Sequence, residues 1–325
     1  MMKAIVYHNY GSPDVLKYEE IEKPTAGDDE VLIKVRTASV NPLDWRLMRG
    51  GPYIFRLLSG VYTSVLRKPK ATRAGRDVAG QVEAVGRNVK RFKPGDEVFG
   101  ACRGAFAEYA CASELSLVIK PDNVTFEQAA AVPIAGLTAL QGLRDKGQIR
   151  SGQKVLINGA AGGVGTFAVQ IAKSFGADVT GVCSTGKVEM VRAIGADHVI
   201  DYIQEDFTKG TRRYDLIFDC IGNHSLSACR RVLNPGGACV MVGGKNVWVV
   251  LARVVAAPVL SRFLRQKFVL FIARLNKEDL TILSELMKAG KVTPVIDKRY
   301  RLSEAAEAVR YLEEGHARGK VVITL

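Results

Sequence analysis

The stretch Lys154–Gly176, "KVLINGAAGGVGTFAVQIAKSFG", constrains the fold of this chain more than any other. An apolar run, "KVLIN", meets an amphipathic one, "TFAVQIAKSFG", across "NGAAGGVG", where four of eight residues are glycine and two are alanine. A turn with so little side chain lets backbone N–H groups approach a ligand with no Cβ in the way. The start of the helix beyond it offers partial positive charge to a phosphate. The spacing reads G-A-A-G-G-V-G rather than G-x-G-x-x-G, with Ala161 where a second early glycine would stand. A strand before, a helix after and a second strand, "DVTGVC", make this the turn of a dinucleotide-binding βαβ unit. Ala161, Gly162, Gly163, Val164 and Gly165 are its candidate contacts.

The end of that second strand bears on which dinucleotide is bound. Sites for NAD place an acidic residue there to bond the ribose 2′-hydroxyl. Here "DVTGVC" is followed by Ser184, Thr185, Gly186 and Lys187, with no Asp or Glu. A carboxylate would repel a 2′-phosphate, whereas hydroxyls and an ammonium attract it. A charge-assisted contact is worth about 1.5–3 kcal/mol, roughly a 10- to 100-fold preference, so NADPH is expected over NADH.

Residues 1–122 carry short alternating runs, "KAIVYH", "EVLIKVRTASV", "DVAGQVEAVG", "DEVFG" and "AFAEYACAS", punctuated by "GSPD", "PTAGDD" and "KPGDE". This pattern predicts an antiparallel β domain. From residue 123 helices and continuous apolar strands alternate, as "KVLIN", "DVTGVC", "HVID", "YDLIFDC" and "GACVMVGG" show. Such alternation predicts an α/β, doubly wound parallel (Rossmann) sheet. "TFEQAAAVPIAGLTALQGL", "KEDLTILSELMKAGK" and "SEAAEAVRYLEEG" read as helices, and "KVVITL" as a closing strand.

Composition narrows the setting. The N-terminus lacks a basic-then-apolar secretory pattern, and no run reaches the roughly 18 apolar residues that span a bilayer. Six cysteines without a C-x-x-C pair read as reduced packing thiols, so a cytoplasmic protein is expected. The net charge of +13 admits an anionic ligand, anionic lipid or nucleic acid, and no motif specific to nucleic acid accompanies it.

The motifs "ASVNPLDWRLMRG", "AGRDVAGQVEAVGRNVKRFKPGDEVFG", "AAAVPIAGLTAL", "LINGAAGGVG", "RAIGADHVIDY" and "GKVVITL" span nearly the whole chain. Together they resemble the medium-chain dehydrogenase/reductase superfamily, in its zinc-free quinone oxidoreductase-like branch. The resemblance implies a GroES-like, mainly antiparallel catalytic domain over 1–122, completed by 294–325, and a Rossmann NADPH-binding domain over 123–293. It also implies an active site in the cleft and a homodimer. Zinc-dependent relatives carry cysteine where this chain has Asn41 and histidine where it has Arg76. The four histidines, His8, His198, His224 and His316, lie outside any metal-ligand spacing with cysteine, so no metal is expected. Without a Lewis acid, the expected chemistry is hydride transfer to an acceptor already activated by conjugation, a quinone or an α,β-unsaturated carbonyl.

Residue by residue, Asn41 stands at the lost ligand position, to bond a carbonyl or the nicotinamide ribose, or simply to form a turn before Pro42. Asp44 is expected to orient neighbours or to cap a helix. Tyr53 resembles the proton-donating tyrosine of enoyl reductases, with Tyr62 as its competitor. Thr138, Tyr202 and Lys320 resemble cofactor contacts at the domain junction, the 2′-phosphate and the phosphates respectively. Ile221 and Gly222, with Gly243 and Gly244, end strands at the carboxyl edge where open α/β sheets bind ligands. Val247–Phe271 reads either as a lid and oligomer interface or as a peripheral contact with anionic membrane. The rival functions are an alcohol or aldehyde dehydrogenase of the same fold and a non-catalytic nucleotide-binding scaffold.

Overall fold

The computed structural model describes residues 1–50, 72–243 and 265–325. These form two compact units, one of Met1–Ile134, Leu275–Lys288 and Ile296–Leu325, the other of Ala135–Arg274 and Ala289–Val295. The helix Lys277–Lys288 belongs with the first unit, where Asn123 Nδ2 donates to the Lys288 carbonyl at 3.1 Å.

In the first unit, Glu30–Val40 is the central strand. Its residues Thr37–Ser39 pair with Asp77–Ala79 on one side and Val322–Thr324 on the other, both antiparallel. Ile33, Val35, Val40, Val78, Val82, Phe106 and Val321 are buried together as its core. The strand Ile296–Arg301 pairs parallel with Lys320–Thr324 at the sheet margin. Its sequence, "IDKRYR", hides it, because an edge strand need bury only part of one face. The short strand Lys17–Ile21 was also illegible, since its residues are half-buried or exposed.

In the second unit, strands Lys154–Asn158, Asp178–Cys183, His198–Asp201, Tyr214–Asp219, Leu233–Met241 and Lys267–Leu270 form a parallel sheet. Numbering them one to six in chain order, the spatial order among the described residues is 3-2-1-4-5-6. That is the order of a dinucleotide-binding doubly wound sheet. The order reverses between Lys154–Asn158 and Tyr214–Asp219, so the switch point falls beside the glycine turn. Leu156, Ile217, Leu233, Cys239 and Phe268 fill the core on these strands.

One expectation needs correction here. "TFEQAAAVPIAGLTALQGL" is not one helix but two, Phe126–Ala130 and Pro133–Gln141, because Pro133 has no N–H to continue the first and crowds Val132. The end of the apolar-basic segment, Lys267–Leu270, has a place in the fold that its sequence did not announce. It is the sixth strand of the sheet, paired with Ala238–Met241. The remainder of that segment, through residue 264, lies outside the described residues, as do Tyr53, Tyr62 and Gly244.

Candidate functional site

The strand Lys154–Asn158 ends at Gly159, whose φ of 85° lies in the left-handed region that a side chain disfavours. A Cβ there would also come within 2.7 Å of Ile221 Cδ1. The Gly159 and Ala160 N–H groups donate to the Val182 carbonyl, pinning the turn to the end of the neighbouring strand. The helix Gly163–Ser174 follows from Gly162, which provides no side-chain cap. Helix geometry leaves the first N–H groups, on Gly163, Val164 and Gly165, without intrahelical partners. Around Gly162 the nearest atom to an added Cβ is the Gly159 carbonyl at 3.4 Å, so the mouth of the turn is open. Gly165 is glycine for another reason: a Cβ there would meet Gly159 O at 2.0 Å. An open turn leading into an uncapped helix is a cradle suited to a phosphate.

The expected neighbours of that cradle assemble at the carboxyl edge of the sheet. Ser184, Thr185 and Lys187 form the bend after Asp178–Cys183, with Lys187 N–H donating to Ser184 O at 2.9 Å. Tyr202 N–H donates to Cys183 O at 3.0 Å, and the Tyr202 side chain is exposed. Asp219 is buried at the end of its strand and accepts from Asn158 Nδ2, Ile221 N–H and Gly222 N–H at 2.8, 3.1 and 2.8 Å. One carboxylate therefore shapes the Ile221–Gly222 loop. Gly243 lets the next strand end close by, since a Cβ would fall 2.1 Å from Cys220 O. Thr138 is half-buried on Pro133–Gln141.

The first unit holds a different cluster. Asn41, Asp44, Asp77, Ser39 and Lys320 are all buried. Asn41 Nδ2 donates to Asp77 Oδ2 at 2.9 Å and to Ser39 O at 3.3 Å, while its Oδ1 accepts from Lys320 Nζ at 2.6 Å. Asp77 also accepts from Ser39 Oγ at 3.0 Å and from Ile134 N–H at 3.2 Å. Lys320 Nζ donates further to Val40 O at 3.3 Å and lies 3.8 Å from Asp77 Oδ2. Both hydrogens of the Asn41 amide are thus bonded inside the protein. Lys320 is only 3% exposed, and its ammonium donates to the Val40 carbonyl and to Asn41 Oδ1. Among the described residues, no three His, Cys, Asp or Glu side chains come together as a metal site.

Asp44 accepts the Asn41 N–H at 2.8 Å from the third position of the helix Pro42–Met48, so the capping reading describes its geometry. Burial lifts its carboxyl to about 7; the Asn41 N–H opposes the shift, neighbouring Asp77 adds to it, and Arg76 and Lys320 oppose it. A carboxyl raised above its unfolded value of about 3.9 favours the protonated folded state. That stabilisation is whole below about pH 4 and disappears as pH rises through about 7. Between pH 5 and 8 the wild type should lose about 2–3 kcal/mol that Asp44→Asn does not lose. Urea unfolding of both proteins at the two pH values checks this, and a difference between them that ignores pH would refute it.

Sequence reasoning missed Asp77, Asp219 and Asp201. The first two sit inside or at the end of apolar strands, "DVAGQV" and "LIFD". A carboxylate that folds into a buried strand must find partners there, which is itself a signal. Asp201 ends the strand His198–Asp201, opposite Cys183.

A parallel sheet of this order with an open glycine turn, in a chain that also holds a separate mainly antiparallel β unit, defines a dinucleotide-binding oxidoreductase architecture. The comparisons narrow it. Residues 27–122 match the family described as alcohol dehydrogenase GroES-like domain, and 194–323 that described as zinc-binding dehydrogenase. The chain is 36% identical to 2-methylene-furan-3-one reductase of Solanum lycopersicum, aligning 99% of itself with 79% of that protein. Identity and coverage are the same, 36%, 99% and 79%, for the chloroplastic NADPH-dependent alkenal/one oxidoreductase of Arabidopsis thaliana. The quinone oxidoreductase structure from Coxiella burnetii superposes with a TM-score of 0.86 at 32% identity, covering 100% of this chain and 99% of that one. The chain belongs to the medium-chain dehydrogenase/reductase superfamily, in its quinone oxidoreductase-like branch.

Proposed function

We propose that this protein is a zinc-independent oxidoreductase that uses NADPH to reduce quinones or α,β-unsaturated carbonyl compounds. The observation that carries the reading is the open glycine turn at the sheet's switch point, with Ser184, Lys187 and Tyr202 gathered at the adjacent strand ends. The relatives named for NADPH-dependent alkenal/one and quinone reduction supply the acceptor class.

When bound, NADPH supplies a hydride from its nicotinamide. The chain's part is to hold and orient it. The N–H groups of Gly163, Val164 and Gly165 receive the pyrophosphate, with Ala161 and Gly162 keeping the approach clear. Ser184, Lys187 and Tyr202 border the 2′-phosphate, while Ile221, Gly222 and Gly243 border the nicotinamide side. Thr138 is proposed to add a contact from its helix. Asn41 and Asp44 fix the backbone at the start of Pro42–Met48 instead of touching the acceptor. Tyr53 keeps its proposed role as proton donor on the strength of the resemblance.

The protein is further proposed to act as a homodimer in the cytoplasm, with Val247–Phe271 serving as lid and oligomer interface or as a peripheral contact with anionic membrane. Among the described residues no helix is long and apolar enough to cross a membrane. The test is loss of NADPH absorbance on mixing enzyme with a panel of quinones, alkenals and simple aldehydes. Turnover is expected with conjugated acceptors and not with simple aldehydes. Tight NADPH binding without turnover of any acceptor would favour a non-catalytic nucleotide-binding protein.

A further inference from the structure

We infer that Asp201 restrains the preference of this site for NADPH over NADH, acting against Lys187 from across the strand boundary. The inference rests on the nucleotide reading above. Strand order places His198–Asp201 beside Asp178–Cys183 in parallel register, with Asp201 opposite Cys183. A carboxylate absent from the end of the second strand is thereby supplied by the end of the third.

Its bonds show what it does there. Thr185 Oγ1 donates to Asp201 Oδ2 at 2.5 Å, Gln204 Nε2 donates to the same oxygen at 3.1 Å, and Ile203 N–H donates to Oδ1 at 3.0 Å. Every one of these donors favours the ionised carboxylate, and the Thr185 bond foremost holds it below its ordinary range. A threonine hydroxyl has a single proton. Since Thr185 gives that proton to Asp201, it presents only lone pairs to a phosphate. The Ser184 hydroxyl, with no partner among the described residues, is the donor that remains. Asp201 stands opposite Cys183 in the register, and Lys187 closes the bend that follows Cys183, so anion and cation share one rim.

A 2′-phosphate carries about −1.5 to −2 charge at neutral pH and is repelled by a fixed carboxylate. A ribose 2′-hydroxyl is neutral and can donate to one. Specificity is a difference of affinities, and this rim holds both an attractive and a repulsive element toward the same group. Lys187 and Asp201 therefore set the ratio together, with Lys187 prevailing.

Asp201→Asn removes the charge while keeping an acceptor for Thr185 and Ile203. Kd values for NADPH and NADH, measured calorimetrically on the intact chain, should show NADPH bound about three- to tenfold more tightly than by wild type. NADH should bind no better, and the NADPH gain should shrink at high salt. Thr185→Val, which leaves the carboxylate in place, should give no such gain. Should Asp201→Asn not fold, Asp201→Ser carries the same comparison. An unchanged NADPH-to-NADH ratio, or equal weakening of both, would mean that Asp201 only pegs the loop, and the inference would fall. Wild-type protein that binds neither dinucleotide would instead sink the nucleotide reading, so the two failures are told apart.

Discussion

Lys187→Asp is expected to weaken NADPH binding by about 10- to 100-fold while changing NADH binding by less than about threefold. Lys187 closes the bend Thr185–Lys187 at the carboxyl edge, half-buried rather than free in solvent. With the Thr185 proton committed to Asp201, the attraction for a 2′-phosphate falls mainly on this ammonium. The substitution removes that attraction and adds a second carboxylate to a rim that already has one. Titrating both dinucleotides into wild type and variant decides the matter. Losses of equal size would show that Lys187 does not read the phosphate. The discrimination should also fade as ionic strength rises, because the contact lies near solvent.

Lys320→Met is expected to destabilise the protein by about 3–5 kcal/mol. Lys320 and Asp77 are 3% and 0% exposed and lie 3.8 Å apart, so neither charge has water to fall back on. Burial pushes the Lys320 ammonium down and the Asp77 carboxyl up from their ordinary values, and their mutual attraction opposes both shifts. Removing one leaves the other as an uncompensated buried charge, with Asn41 Oδ1 also losing its donor. Asp77→Asn should be costly for the mirror reason. The double variant should cost less than the sum of the singles by at least about 1.5 kcal/mol, the coupling expected of residues in one network. Denaturant unfolding of the four proteins closes the cycle. Simple additivity would mean that the two charges do not sense each other, and the cluster would lose its place as the anchor of the Pro42–Met48 and Pro133–Gln141 helix starts.

The glycine turn and its strand were legible because each is written in contiguous residues. "KVLIN" is the strand Lys154–Asn158, and its apolar run reflects burial on both faces of a parallel sheet. "EVLIKVRTASV" is the strand Glu30–Val40 for a similar reason. The strand Lys267–Leu270 was not legible because its apolar residues continue the run before it without a break in pattern. The surroundings of Lys320 were not legible because the sequence cannot say which way a lysine turns. It turns inward because Asp77, from a strand more than 240 residues earlier, places a carboxylate within its reach.

By itself the sequence determined the parallel α/β unit, the β-rich unit and the bare turn, since hydrophobic period and glycine spacing are local properties. Only the tertiary structure decided which charges meet. Strand register brings Asp201 to Thr185 across 16 residues of chain, and Lys320 to Asn41 across 279. Electrostatic interaction depends on distance through space and on exclusion of water, and neither is written in the order of residues.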